Sequence, residues 1–375
     1  MTKIADVKKD KKKNYSFYSA AEYGRDFPRL YTGIFAFDYC TAGVPVGVTS
    51  SFYGPPGGAK SSTGFKLLAS GQNTCWNCFE FLWDCKCDQQ TVKKSVVVST
   101  EGMDLDWVEK MGVDIDALEI VEPTTGEEAV DIIWECLNAD DCGIVLLDSF
   151  TRIFPEAEIL DPALQNHMGK RGQLHTKLIN KVKAALMVQK RRKQHTMFVA
   201  VNQIRAKYDA QGRGSNEEMS GCFASKHDFH LTCRFGPLKT EAQYVDKVSE
   251  LPKYGKFSVN IVSPGGKRKL FTLAGKGYFY LALENTDECL VGTSYDFKSA
   301  FEYAKDLGLM DGWNFKYSDK KFKTKAEMMT YWTENPFDYM TIKRRIVEHA
   351  ANVKRGIIED LSPKEEKKST DNEEA

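Results

Sequence analysis

Four residues, Lys60, Glu101, Asp148 and Gln203, have the side chains a phosphoryl-transfer site needs. Lys60 lies in SFYGPPGGAKSS, residues 51 to 62, whose spacing is that of a phosphate-binding loop, G-x-x-x-x-G-K-[ST]. The loop comprises Gly54, Pro55, Pro56, Gly57, Gly58, Ala59, Lys60, Ser61 and Ser62. Backbone N–H groups between residues 55 and 61 are expected to ring a β-phosphate at a helix N-terminus, where the dipole also favours an anion. Lys60 would reach the β- and γ-phosphates, and Ser61 would hold Mg²⁺ through its hydroxyl. Asp148 would reach the same Mg²⁺ through a water, and Glu101 would orient or deprotonate the attacking water. One letter departs from the pattern: Ala59 stands where glycine is expected. A Cβ narrows the backbone angles there, yet alanine is the smallest such addition. The expectation is a site that binds ATP and Mg²⁺, with the methyl group altering only how fast it hydrolyses.

Each acid alone reads equally well as an ordinary exposed carboxylate; position decides. The apolar, β-prone run VGVTSSFY leads into the loop, and TGFKLLASGQ after it reads as a helix. SVVVSTEG is a buried-type strand ending in Glu101, GIVLLDSF one ending in Asp148, and TMFVAVNQIR one carrying Gln203. HDFHLTCRF and KFSVNIVSP alternate like sheet strands. PTTGEEAVDIIWECLNAD and residues 170 to 193 read as helices, the second long and basic. Strands alternating with helices predict an α/β fold, a mostly parallel twisted sheet covered on both faces. Ligands of such sheets sit beyond the carboxyl ends of the strands, where all four residues fall. AKYDAQGRGSNEEMSG reads as a polar loop of a length that is usually functional.

The chain has 375 residues, 42% of them apolar and 28% charged, which suits a soluble globular protein with one large domain and smaller appendages. No apolar run approaches a membrane span, and the basic start lacks the apolar core of a secretory signal. The expected location is the cytoplasm of its cell, or of a host cell. Net charge is zero, so composition alone draws no nucleic acid, but the charge is uneven. Lys8, Lys9, Lys11, Lys12 and Lys13 form one basic run, Lys190, Arg191, Arg192 and Lys193 another, and EDLSPKEEKKSTDNEEA leans acidic.

Four of ten cysteines, Cys75, Cys78, Cys85 and Cys87, crowd into CWNCFEFLWDCKC with spacing C-x2-C-x6-C-x-C. A reducing compartment argues against disulfides. Two close thiolate pairs can close a tetrahedral, structural Zn²⁺ site; the alternative is free thiols in a hairpin.

Taken in order, these segments resemble the RecA recombinase family, including the phage recombinases called UvsX. TGIFAFDYCTAGVPVG is similar to the family's lead-in to the phosphate loop, and TEGMDLDWVEKMGVDIDALEIVEPTTGEEAVDI to its catalytic-glutamate segment. LLDSFTRIFPEAEI resembles the Walker B strand, NHMGKRGQ the end of the first DNA-binding loop, and AVNQIRAK the strand entering the second. LGLMDGWNFKYSDKKFKTKAEMMTYWTENP resembles the small C-terminal domain. The resemblance implies a RecA-like ATPase core and an ATP-dependent strand-exchange protein that forms helical filaments on single-stranded DNA and also engages duplex DNA. It implies that Glu101 activates water, that Trp107 stacks on adenine with Asp104 beside it, and that Gln203 senses the γ-phosphate. DNA loops are expected at about 156 to 169 and 204 to 222, with Met168, Lys170, Arg171, Arg205, Lys207 and Arg213 as contacts. Single-stranded-DNA-binding and loader proteins are implied partners. The expected organisation is a basic segment 1–30 serving protomer contact, a core 31–275 with a cysteine-rich insertion at 74–92, a small C-terminal domain 276–355, and an acidic-leaning tail 356–375.

Several features depart from the family pattern. The N-terminal region is short, the basic residues Lys267, Arg268 and Lys269 are displaced, SGCFASKH matches loosely, and the cysteine segment is an insertion. The divergence and the insertion suggest a phage source. A helicase motor or helicase loader of the same ATPase superfamily is the alternative, as is a binding module that uses ATP only as a switch.

Overall fold

The computed structural model describes residues 27–160, 169–208, 214–220, 227–238, 254–262, 270–285 and 290–359. The basic run before residue 14, most of the segment 1–30, Lys267 to Lys269 and the tail beyond 359 lie outside them. A short ribbon opens the described chain: β1 (Arg29–Leu30) pairs with β2 (Val44–Pro45) around helix α1 (Phe35–Thr41).

The main sheet, among the described residues, has nine strands: β3 (Thr49–Gly54), β4 (Lys94–Ser99), β5 (Leu118–Val121), β6 (Cys142–Asp148), β7 (Met197–Tyr208), β8 (Gly214–Met219), β9 (Leu231–Pro237), β10 (Tyr254–Ile261) and β11 (Lys276–Ala282). Their order is β11-β10-β9-β3-β7-β6-β4-β5, with β8 pairing β7 off that path. The strands from β9 to β5 run parallel, and β10 and β11 close one edge antiparallel. The expected α/β architecture is therefore present, and the sheet runs on through Ala282, past the expected boundary at 275.

Period-two alternation loads both faces. Val97, Ile144, Leu146, Val199 and Val201 join one core with Leu67 and Leu68 of α2 (Lys60–Gln72). Val96, Val98, Val145, Leu147, Phe198 and Ala200 join the other, with α4 and α6. Before those helices comes α3 (Leu105–Lys110); α4 is Gly126–Asn138, α5 is Glu156–Leu160 and α6 is Lys170–Arg191. Thr125 caps α4 by accepting the Glu128 N–H at 3.2 Å, as the TTGEE start foretells. Lys190 and Arg191 of the second basic run fall in the last turn of α6, where they complement the helix dipole.

A third core belongs to the C-terminal part: α7 (Phe297–Asp306), the ribbon β12 (Met310–Asp311) with β13 (Asn314–Phe315), α8 (Lys325–Glu334) and α9 (Pro336–Lys354). Its buried residues include Ala300, Phe315, Trp332 and Ile346, but also Phe35 of α1 and Phe81 of the cysteine insertion. Buried Asp296 ties the parts together. It accepts the Phe35 N–H at 3.0 Å, the Tyr339 hydroxyl at 2.9 Å and the Lys343 ammonium at 3.2 Å.

The polar loop expected at 204–222 is corrected in part. β7 runs on to Tyr208 and pairs antiparallel with β8, setting Arg205 opposite Glu218. Pairing with itself satisfies the backbone of a segment that has left the parallel sheet. No described helix is long and apolar enough to cross a membrane.

Gly54 ends β3 with φ at +153°, and a Cβ there would sit 2.2 Å from the Phe235 carbonyl oxygen of β9. Gly54→Ala must therefore push β3 and β9 apart where the phosphate loop begins. We expect it to lower unfolding stability by roughly 2 kcal/mol or more, read by chemical denaturation; an unchanged midpoint would mean the two strands are not so close.

Candidate active site

Sheet register gathers the expected residues. Gly54 stands beside Gln203, Asp148 beside Val201, and Ser99, two residues before Glu101, beside Asp148. The loop after β3 and the ends of β4, β6 and β7 thus share one edge.

The loop itself turns straight into α2. Lys60 is buried, and its Nζ donates to the Pro55 carbonyl oxygen at 2.6 Å, bridging the loop's own mouth. Burial pushes the Lys60 pKa down, while Asp148 and Glu101 pull it back up. Pro55 and Pro56 carry no N–H, so the expected ring of donors starts only at Gly57. Ala59 is the N-cap of α2 and holds φ 63°, ψ 24°, the left-handed conformation in which glycine is usual. The methyl group has been accommodated in the backbone conformation the motif requires, at a strain of roughly 1–2 kcal/mol.

Asp148 lies in the same dry corner. Burial pushes its pKa up; a hydrogen bond from Ser61, and Lys60 beside it, oppose that, while Glu101 adds to it. The half-buried carboxylate and the Ser61 hydroxyl are a donor set that suits a hard cation such as Mg²⁺. Glu101 is held by one oxygen. Its Oε1 accepts from Gln203 Nε2 at 2.9 Å and from the Ser149 hydroxyl, and Arg152 Nε lies 3.5 Å away. Thr100 pins Ser149 in turn, accepting its N–H at 2.8 Å. Asp104 accepts the N–H groups of Asp106 and Trp107 at 3.1 and 3.3 Å and so caps α3. The indole N–H of Trp107 donates to Ser62 Oγ at 3.2 Å, laying the half-buried ring beside the start of α2.

Ser149, Arg152 and Thr100 are the contributors that sequence reading missed. Ser149 and Arg152 stand in the quoted LLDSFTR run, but only the adjacency of β4 and β6 shows that they serve Glu101.

Residues 23–244 match the family model described as the RecA N-terminal domain, more than half of the chain. The chain belongs to the RecA family. Among curated relatives, a protein named Protein RecA from Helicobacter pylori (strain P12) is 27% identical over 208 residues, 54% of this chain and 53% of that protein. Protein RecA from Sulfurovum sp. (strain NBC37-1) is 24% identical over 240 residues, 64% of this chain and 63% of that protein. Protein RecA from Thioalkalivibrio sulfidiphilus is 26% identical over 220 residues, 58% of this chain and 57% of that protein. The chain thus spans between 53% and 63% of the length of these RecA relatives.

The expected DNA contacts of this RecA-family chain sit in two places. Lys170 opens α6 and is exposed. Arg171 beside it is engaged: its Nε lies 2.7 and 2.8 Å from the Glu158 carboxylate, and its guanidinium stacks 4.1 Å from the Phe154 ring. Arg205 is exposed on β7, just beyond Gln203. The backbone of Lys207 lies on β7, while Met168 and Arg213 lie outside the described residues. In the cysteine insertion, the sulfur atoms of Cys75, Cys78, Cys85 and Cys87 lie within 4.8 Å of one another. That is the spacing a single tetrahedral Zn²⁺ can close, since Zn–S bonds of about 2.3 Å put the sulfurs roughly 3.8 Å apart.

Two substitutions weigh the left-handed residue. Ala59→Gly should raise stability by up to about 1 kcal/mol, the relieved strain less the entropy glycine adds to the unfolded chain. Ala59→Val, β-branched in the same conformation, should lower it by at least about 1 kcal/mol. Denaturation midpoints in the reverse order would overturn this account of the loop.

Proposed function

We propose that this RecA-family chain is a DNA-dependent ATPase that assembles as a helical filament on single-stranded DNA and catalyses homologous pairing and strand exchange. The observation that carries the reading is the 2.9 Å hydrogen bond from Gln203 to Glu101 at an edge that also holds Lys60 and Asp148. It joins the hydrolytic residue to the strand that leaves the site toward the second DNA segment.

The residues divide the work. Lys60, freed from Pro55, meets the β- and γ-phosphates with a charge that a dry site makes stronger. Ser61 and Asp148 would hold Mg²⁺, whose charge neutralises the β- and γ-oxygens when bound. Trp107 offers its face to the adenine, and Asp104 keeps the turn that presents it. Glu101 is oriented through Oε1 by Ser149, Gln203 and Arg152, which leaves Oε2 to take a proton from the attacking water.

Gln203 supplies the link to DNA. A γ-phosphate competes with Glu101 for its amide. Its backbone carbonyl accepts the Ser220 N–H at 2.9 Å, and neighbouring Asn202 donates to the Ser220 carbonyl at 2.8 Å. Nucleotide state at the side chain is therefore coupled to the base of the β7–β8 hairpin. On the second DNA segment Arg205, Lys207 and Arg213 contact phosphates; on the first Lys170 does so, Arg171 joins it when it leaves Glu158, and Met168 wedges between bases. Such backbone binding weakens steeply with salt and leaves homology to be read by base pairing. ATP lies between neighbouring protomers, so nucleotide binding and filament growth are linked. The four-cysteine cluster holds a structural zinc ion. The protein acts in the cytoplasm, on single-stranded and duplex DNA.

Lys60→Ala should reduce single-stranded-DNA-stimulated ATP hydrolysis by at least about 100-fold. Gln203→Ala should keep ATP binding within a few-fold and lose the stimulation by DNA. Steady-state hydrolysis with and without DNA, and nucleotide titration, check both. Electron microscopy with single-stranded DNA and a slowly hydrolysed ATP analogue should show helical filaments. Closed rings, or clean protein lacking both stimulated hydrolysis and strand exchange, would sink the recombinase reading.

A further inference from the structure

The cysteine insertion lies against the C-terminal helices as well as the core. A hairpin forms it: Cys75 N–H donates to the Glu80 carbonyl at 2.9 Å, Leu82 N–H to the Asn73 carbonyl at 2.9 Å, and Thr74 bridges Phe81. On the core side, buried Trp76 donates to the Gly71 carbonyl of α2 at 3.1 Å. On the other side, Phe81, 1% exposed, enters the C-terminal core. Trp83 donates to Thr341 Oγ1 at 2.9 Å and rests 4.7 Å from the Phe337 ring, while Thr341 donates to Asp84 at 2.6 Å. Phe337 and Thr341 both stand in the first turns of α9.

Arg344 of α9 is the centre of this contact. It is only 6% exposed. Its donors go to the Phe79 carbonyl at 2.8 Å, to Glu80 at 3.1 Å and to Glu348 at 2.7 Å. Two of those three acceptors belong to the stretch between Cys78 and Cys85. A buried guanidinium deprived of them would be strongly destabilising. The stretch is not self-supporting. Phe79, directly after Cys78, holds φ 62°, a left-handed conformation that a bulky residue keeps only where its surroundings enforce it. Within the hairpin Phe81 and Trp83 stack 4.7 Å apart and Trp76 meets Phe79 at 6.0 Å, but these rings do not tie down Cys85 and Cys87, whereas a closed four-thiolate site would fix Cys75, Cys78, Cys85 and Cys87 at once. A loaded site is also dianionic, and Cys78 lines a cavity with Arg29, Arg344 and Arg355.

We infer, building on the zinc reading above, that the metal-loaded cysteine hairpin is a clasp that locks the C-terminal helices onto the ATPase core through Arg344, Phe81 and Trp83. Zinc displaces the thiol protons, orders residues 78 to 85, and thereby supplies the acceptors that the buried arginine needs. Loss of the metal releases α8 and α9 without unfolding the sheet.

The test uses the full-length protein. Metal analysis should find about one zinc per chain. Hydrogen exchange should then be compared before and after chelation, and in the Cys78→Ser, Cys85→Ser double variant. Amides of residues 79–84 and 325–348 should exchange at least about ten-fold faster without metal, while β6 is unchanged. Arg344→Ala should retain its zinc and show the same acceleration in 325–348, which keeps the test open if the cysteine variant fails to fold. Less than half an equivalent of zinc in carefully purified protein would overturn the zinc reading and the clasp with it. Full zinc whose removal leaves 325–348 protected, or an Arg344→Ala variant with unchanged exchange, would overturn the clasp alone.

Discussion

Parallel pairing of β3, β7, β6 and β4 in one register is the constraint on which the rest depends. Backbone hydrogen bonds put Gly54 level with Gln203, and Asp148 level with Val201. A slip of one residue would turn every side chain of a strand to the opposite face. Both faces are filled, by Val97, Ile144 and Val199 on one side and Val98, Val145 and Phe198 on the other, so a slipped register would set side chains of different volume against each closely packed core. Packing of ordinary aliphatic residues thus holds Lys60, Glu101, Asp148 and Gln203 to one edge. The Gly54 contact with Phe235 extends the constraint to β9.

What collects at that edge is charge kept short of solvent. Lys60 and Asp148 are each disfavoured in their ionised form by burial, and each is restored by the other. Neither is comfortable alone, so removing one partner disturbs both. Glu101 is treated differently. It is exposed, and three groups converge on one of its oxygens, fixing its orientation. Lys60 and Asp148 are therefore held by mutual attraction against the cost of burial, and the Glu101 carboxylate by hydrogen bonds.

The sheet and its polar strand ends were legible because buried parallel strands read as unbroken runs such as SVVV and GIVLL, and the acids that end them stand out. Glu101 and Asp148 followed from that pattern, Lys60 from the spacing of the phosphate loop, and Gln203 from its place in a strand run with its role only from the family resemblance. Ala59 was legible as a departure, but its left-handed conformation has no mark in the sequence. Ser149 and Arg152 were hidden because what they do for Glu101 depends on two strands being neighbours. The β7–β8 hairpin was hidden because its polar sequence lacks the apolar alternation that marks a half-buried strand. Least visible was the partnership of the cysteine hairpin with α9. Its hydrogen bonds join residues 257 to 265 positions apart, and neither segment carries a local mark of the other.

β7 is one unbroken strand of 12 residues, Met197–Tyr208, and Gln203 sits at its middle. Up to Val201 it is bonded on both sides, to β3 and β6; from Ile204 onward its recorded partner is β8. In mechanical terms it is a cantilever, clamped in the sheet and projecting from it. From Gln203 to Tyr208 the arm, paired only with β8, is about 16 Å long at roughly 3.3 Å per residue. A rotation of about 5° at the clamp would carry its far end by roughly 1.4 Å at that arm length. Under the proposed mechanism, an amide changing partners at Gln203 would act at the foot of this arm, where a small rotation is magnified with distance.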